Sequence, residues 1–453
     1  MIVMFKRLDL TTAPVLKSLL IFSLPILISN IFQQLYNTTD TMIVGNFMGS
    51  NSLAAIGATS SLFELIVGFA IGVGNGMGIV VARYYGARKE EELKQSVAGA
   101  MVVGVVLTLF IMLIAITLLH PLLSLLQTPK NIINQAYDYI FLIMIFVGVT
   151  IAYNLGAGIL RAIGDSMAAL YILIFAALFN IVLDLVFILK CHLGIQGAAL
   201  ATIVAQGVAA LLCIIYILKK AKLLIPQRRH FKVDKTLYYD LLGQGISMGL
   251  MTSIVAIGSV ILQTAINQLG VNIIAAQTAA RRIQGFFIMP LNSIALAMVT
   301  FVAQNFGAKK FDRINKAIKV SLLLSMSWSV LTIIFFLLFA TQMIHWISGS
   351  VDAELLENGT RFLHITSLFY IVLGVLYILR NTLQGLGEKV IPLISSVIEL
   401  VGKIIFVVFV IPRLGYLGVI LCEPFIWVVV TAQLISLYRG VRKEKLNLNS
   451  NVN

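Results

Sequence analysis

The sequence predicts an all-α polytopic membrane protein with twelve transmembrane helices in two parallel six-helix repeats. Three observations carry that expectation. Of 453 residues, 59% are hydrophobic and only 11% are charged, whereas a soluble domain is about 25% charged. The apolar residues fall into repeated runs near the ~20 residues that cross a bilayer core, without the alternation of a transmembrane barrel. The two halves of the chain also echo one another motif by motif.

The twelve expected runs are 15–36, 52–82, 96–119, 137–160, 168–189, 195–218, 241–266, 272–301, 318–339, 362–383, 391–411 and 417–438. The first is expected to continue to Asp40 or beyond. Pro25 in the first run and Pro290 in the eighth remove a helical hydrogen bond and can bend their helices. Bending at Pro25 would move Asp40; a static kink is the plainer alternative. The second run contains "GFAIGVGNGMG", whose glycines allow close helix contact. It lacks the strand before and the GK[ST] ending of a phosphate loop.

A net charge of +14 could indicate a nucleic-acid partner. The positions of the charges argue otherwise. Lys6, Arg7 and Lys17 precede the first run. Arg83, Arg88, Lys89 and Lys94 separate the second from the third, and Lys309, Lys310, Arg313 and Lys316 the eighth from the ninth. Seven basic residues from Lys219 to Lys235 separate the sixth from the seventh, and Arg439, Arg442, Lys443 and Lys445 follow the twelfth. The alternate connections are poor in positive charge, and "HWISGSVDAELLEN" is acidic. The positive-inside rule then places both termini in the cytoplasm, with the chain in the cell membrane. The basic charge is topological, with anionic lipid contact as a secondary effect.

Cys191, Cys213 and Cys422 are too far apart for a disulfide framework or a metal motif. The five histidines show no ligand spacing either. No nucleophile–base constellation is visible, so an enzyme is not expected and no cofactor is implied. The N-terminus has no signal-peptide cleavage pattern and reads as retained.

The repeat is visible in three places. "NFMGSNSLAAIGAT" (46–59) resembles "INQLGVNIIAAQTA" (266–279). "YYGARKEEELKQ" (84–95) resembles "NFGAKKFDRINK" (305–316), and "LRAIGD" (160–165) resembles "LQGLGE" (383–388). The expected organisation is an N-lobe at 1–218, a basic cytoplasmic linker at 219–240, a C-lobe at 241–438 and a tail at 439–453. Parallel repeats around a midplane cavity are a transporter architecture.

Ionisable groups inside a bilayer are costly and mark an ion or substrate path by default. The acids within the runs are Asp40, Glu64, Asp184, Glu399 and Glu423. Topology puts Asp40, Asp184 and Thr202 at one depth, in the outer half of the first repeat. Asn180 and Asp184 share a helix face, as do Ala198 and Thr202, and Gln33, Tyr36 and Asp40 form another stripe. Two carboxylates, an amide oxygen and a hydroxyl form a hard oxygen environment suited to Na+ or to a shared proton. The plainer alternatives are a helix-end polar residue for Asp40 and an interhelical hydrogen bond for Asp184. Glu64 reads as a network member or as a substrate counter-ion.

The second repeat has no such acidic pair. The position matching Asp184 falls near Val407, that of Asn180 near Lys403, and Ile261 stands for Asp40. Glu399 and Lys403 are spaced for an ion pair along one helix. Arg281 and Arg282 either join Glu399 in a buried polar network or reach a cavity. Glu423, in "CEPF", is expected at the membrane interface.

Taken with the repeats, "P…QQLYNTTDTMIVG" and the "YYGARKEEE"/"NFGAKKFDR" pair resemble the multidrug and toxic compound extrusion (MATE) family over nearly the whole chain. The resemblance implies N- and C-lobes forming a V around a central cavity. It also implies H+- or Na+-coupled antiport that expels amphipathic, often cationic small molecules. Asp40, Asn180, Asp184, Ala198 and Thr202 match the family's N-lobe cation site. The absence of an acid in the seventh helix is similar to the DinF-like branch. A lipid-linked precursor flippase of the same superfamily is the alternative, with Arg281 and Arg282 pointing that way. Each chain carries both halves, so a functional monomer in the bilayer is expected.

Overall fold

A computed structural model describes residues 9–125 and 132–446. Lys6 and Arg7, which the charge map used, lie outside the described residues, as does the tail beyond Leu446. The described backbone is helical and contains no strand. Ten helices are long and apolar enough to span a membrane, and two bent pairs bring the number to twelve.

The spans in the first repeat are α1 Val15–Met48, α2 Ala54–Gly86, α3 Glu90–Ser124, α4 Ile133–Ile145 with Val147–Ala162, α5 Ser166–Lys190 and α6 Gly194–Lys220. Those in the second are α7 Lys235–Ile266, α8 Val271–Gly307, α9 Phe311–Ser348, α10 Ala353–Leu368 with Tyr370–Gly385, α11 Val390–Leu414 and α12 Tyr416–Leu446. The backbone stays helical from Val15 to Gly86, so α1 runs well past Asp40. The sequence gives no break within the fourth and tenth runs, 137–160 and 362–383. Both are broken, by 49° and 51°. The breaks fall at Phe146 and Phe369, with ψ of 16° and 2°. Neither residue is a proline or a glycine, so no local punctuation marks the bend.

The described chain packs as two compact units, residues 9–11 with 28–253 and residues 12–27 with 254–446. In the first unit α6 packs on α4 and α5, and α3 packs on α4. In the second, α12 packs on α10 and α11, and α9 packs on α10. The repeat is therefore one of packing as well as of sequence. It extends to the turns. Gly164 in "LRAIGD" and Gly387 in "LQGLGE" both have φ 84°, a conformation that costs a side chain dearly. The acid after each glycine engages the end of a later helix. Asp165 accepts the Tyr216 hydroxyl of α6 at 2.7 Å, and Glu388 pairs with Lys445 of α12 at 2.5 Å.

The glycines of α2 do what their spacing suggests. Gly72 and Gly76 meet the α7 backbone at Met248–Gly249 and Gln244–Gly245, while Gly74 and Gly78 meet α4 at Asn154 and Gly158. A β-carbon on Gly74 would stand 2.6 Å from the Asn154 carbonyl. This contact explains why α7 up to Ser253 packs with the first unit. Thr252 adds a hydrogen bond from its hydroxyl to the Gly68 carbonyl at 2.8 Å. The basic linker is anchored in the same unit. The buried imidazole of His230 accepts the Gln227 N–H at Nδ1 (2.7 Å), and its Nε2 meets Glu91 at 2.9 Å. Arg229 also pairs with Glu91 at 2.9 Å.

The buried charges of the second unit pair differently from the sequence expectation. Glu399 does not take Lys403, one turn along α11. It is held by Arg380 of α10, a residue absent from the sequence-based candidates. Helical spacing only permits the first pair. The Arg380 side chain is 7% exposed, so its charge requires a carboxylate, and Glu399 is the one it reaches. Arg281 joins Glu423 at 2.8 Å instead of Glu399. Glu423, expected from the sequence at the membrane interface, is thus a half-buried ion-pair partner. Arg281 also lies over the Phe362 ring, 5.9 Å from its centre, and the Tyr416 hydroxyl donates to Gln277 at 2.8 Å. Arg282 is exposed and outside this network.

Two stability predictions follow from this packing. Gly74→Ala should overpack the α2–α4 contact and lower stability by about 1–3 kcal/mol, read as a lower melting temperature in detergent. Gly57→Ala should leave melting unchanged or slightly raised, since a β-carbon there meets nothing within 4 Å. Glu399→Gln should cost about 3 kcal/mol by stranding Arg380. Combining it with Arg380→Met should recover most of that loss in the same melting assay.

Candidate functional site

The first unit brings together Tyr36, Asp40, Asn180, Asp184, Ala198 and Thr202 of the predicted residues of its repeat. Asn180 and Asp184 stand one turn apart on the buried face of α5, with 1% and 0% exposure. On α6, "GAALAT" places the buried Ala198 one turn before the buried Thr202. Ala198 offers no polar side-chain atom to the site. From α1, the Tyr36 hydroxyl meets the Thr202 hydroxyl at 3.3 Å. One turn further along α1 the Asp40 carboxyl lies beside that of Asp184, within reach of a hydrogen bond when one of them carries a proton.

The sequence reading missed one member. Tyr139, buried in the first part of α4, lies within electrostatic reach of Asp40, Tyr36 and Asp184. Four helices therefore meet here. The available signal was weak, because a tyrosine in "YDYIFLIMI" also fits an interfacial or core position.

The polar atoms of this cluster are not satisfied by the protein. One oxygen of Asp40, both oxygens of Asp184, and both amide atoms of Asn180 are buried without a hydrogen-bond partner. Native proteins leave few such groups, and each calls for an explanation such as a bound ion, a proton or water. Among the described residues no three His, Cys, Asp or Glu side chains cluster as they would around a transition metal. Two carboxylates with neutral oxygens from Asn180 and Thr202 suit a monovalent cation or a proton.

The remaining candidates lie elsewhere. Gln33 is half-buried earlier on the α1 stripe, without a hydrogen bond among the described residues. Pro25 lies in the 12–27 segment that packs with the second unit, so α1 belongs to both units. Glu64 on α2 is exposed and does not join the Asp40 cluster. Arg281, Glu399 and Lys403 belong to the second unit. Arg161 of α4 is a further intramembrane cation that the sequence reading passed over; it donates to Asn75 of α2 at 2.9 Å.

Comparison with known proteins agrees with this architecture. The MatE sequence profile matches twice, at residues 25–186 and 248–409. The chain is 30% identical over 442 residues to "Probable multidrug resistance protein YoeA" of Bacillus subtilis (strain 168), covering 95% of this chain and 94% of that one. It is 24% identical over 377 residues to "Multidrug export protein MepA" of Staphylococcus aureus (strain MSSA476), covering 83% of each. Among solved structures, a MATE protein in the bent conformation matches with TM-score 0.88 and 24% identity over 98% of each chain. An outward-facing multidrug resistance MATE family transporter of the MOP superfamily matches with TM-score 0.87 and 24% identity over 98% of this chain and 99% of that one. Two matches to one profile, one in each six-helix half, and a relative aligned from end to end place this chain in the MatE family of membrane transporters.

Proposed function

We propose that this protein is a secondary active multidrug exporter, driven by H+ or Na+ moving inward through the Asp40–Asp184 site. The observation that carries the reading is the set of five buried, unpartnered polar atoms on Asp40, Asn180 and Asp184. Two adjacent carboxyls in a low-dielectric setting do not both ionise cheaply. They either share a proton or hold a cation between them. A proton would sit between the Asp40 and Asp184 carboxyls. A sodium ion would take oxygens from Asp40, Asn180, Asp184 and Thr202. Tyr36 fixes the Thr202 hydroxyl, and Tyr139 closes the site from α4.

Loading neutralises charge on α1 and α5 together. A ligand shifts a conformational equilibrium only as far as its affinities for the two states differ. Here the state with the carboxyls together is favoured by the proton or cation, and the state with them apart by its absence. Bending of α1 at Pro25 is the proposed mechanical link, since α1 carries both Pro25 and Asp40. The names of the relatives support multidrug export; amphipathic, often cationic compounds are the cargo of this proposal. The charge map supports a cell-membrane location with both termini cytoplasmic. The lipid-linked precursor reading relied on Arg281 and Arg282, and Arg281 is already engaged by Glu423.

The test is rhodamine 6G efflux from proteoliposomes with pH and Na+ gradients imposed separately. The wild-type protein should respond to at least one gradient, which names the coupling ion. Asp40→Asn and Asp184→Asn, confirmed folded and inserted, should each lose gradient-driven efflux by about ten-fold or more, as expected for a group that must carry the charge itself. Full gradient-driven efflux in both variants would overturn the mechanism.

A further inference from the structure

One cluster of the second unit sets three buried or half-buried cations, Arg281, Arg380 and Lys403, against two carboxylates, Glu399 and Glu423. Arg281 takes Glu423 and Arg380 takes Glu399. Lys403 is left over. It is 5% exposed and makes no hydrogen bond or ion pair among the described residues. Its position is built, not accidental. Gly258 of α7 leaves the space that the lysine stem fills; a β-carbon there would stand 2.9 Å from Cδ and 3.5 Å from Nζ. The ammonium lies within electrostatic reach of Glu423, whose carboxylate is already bonded to Arg281. The cluster therefore has one positive charge in excess, inside membrane-spanning helices where uncompensated charge is costly.

The repeat gives this position a meaning. Counted from the start of each profile match, Lys403 falls where Asn180 falls in the first repeat. One repeat thus places an amide beside two carboxylates, and the other an ammonium beside an Arg–Glu pair. At equivalent points of the fold the two units present opposite polarity.

We propose that Lys403 is the anion-accepting subsite of the second unit, taking the carboxylate, sulfonate or phosphate of an amphiphile within the membrane. The occupant is either an exported compound or the headgroup of an anionic lipid; both supply the missing negative charge. Export of the occupant rests on the function proposed above, whereas its binding does not.

The test uses two dyes that share a xanthene frame and differ in charge, fluorescein and rhodamine 6G. Each is titrated by anisotropy into the full-length protein in phosphatidylcholine nanodiscs. Lys403→Met should weaken fluorescein binding by about ten-fold or more, the scale for losing a buried charge partner. It should leave rhodamine 6G within about two-fold, because no cationic ligand depends on that ammonium. Glu423→Gln should tighten fluorescein binding, since it removes the competing carboxylate. The methionine variant should fold, because replacing a buried charge by an apolar group of similar length is often neutral or stabilising. Repetition in nanodiscs with phosphatidylglycerol identifies the occupant. Weaker fluorescein binding there, in the wild type and not in Lys403→Met, assigns the subsite to lipid. Unchanged wild-type binding assigns it to the dye-like cargo. Fluorescein binding that is absent, unaffected by Lys403→Met, or lost in parallel with rhodamine 6G would overturn the subsite. Because binding is read without a gradient, failure of coupled efflux leaves this result standing, and the reverse also holds.

Discussion

The requirement that a charge inside the bilayer find a counter-group organises this protein. Each unit meets it differently. In the second unit Arg380 takes Glu399 and Arg281 takes Glu423, and these pairs tie α10 to α11 and α8 to α12. In the first unit the Asp40 and Asp184 carboxyls lie side by side, and neither forms an ion pair among the described residues. A pair of like-charged groups is a poor structural device and a good site for something mobile. Paired charges therefore serve as scaffold, and the unpaired set is where ion chemistry is possible.

That scaffold depends on close backbone contact. Gly72, Gly74, Gly76 and Gly78 alternate between α7 and α4 along one helix, so α2 is packed tightly on two sides. Small residues allow such contact where lipid supplies no hydrophobic driving force between helices. The tight core of the first unit also explains its boundary. The first part of α7 joins it because glycine contacts outweigh the sequence division between repeats.

The repeat supplies symmetry and then departs from it. The broken spans at Phe146 and Phe369, the glycine turns at Gly164 and Gly387, and the order of packing agree in both halves. Polarity does not. Where one half has Asn180 the other has Lys403, and the acid of α1 has no counterpart in α7. The framework is held in common because backbone geometry demands it, while side chains at equivalent points are free to diverge.

The sequence alone determined the class, the number of spans and the repeat, since bilayer thickness and hydropathy fix span length whatever the packing. It also determined which polar residues of the first repeat share a depth, because topology and helical period fix height along each helix. The breaks in α4 and α10 were not legible, as phenylalanine carries no turn signal. Tyr139, the Arg380–Glu399 pair and the Arg281–Glu423 pair were also hidden. Depth and period say nothing about which face of one helix meets another, so partner choice across helices was decided only by the tertiary structure. Glu399 had a lysine one turn away and took an arginine from a different helix, because the packing of α10 on α11 brings that guanidinium, and not the equally buried ammonium, onto its carboxylate.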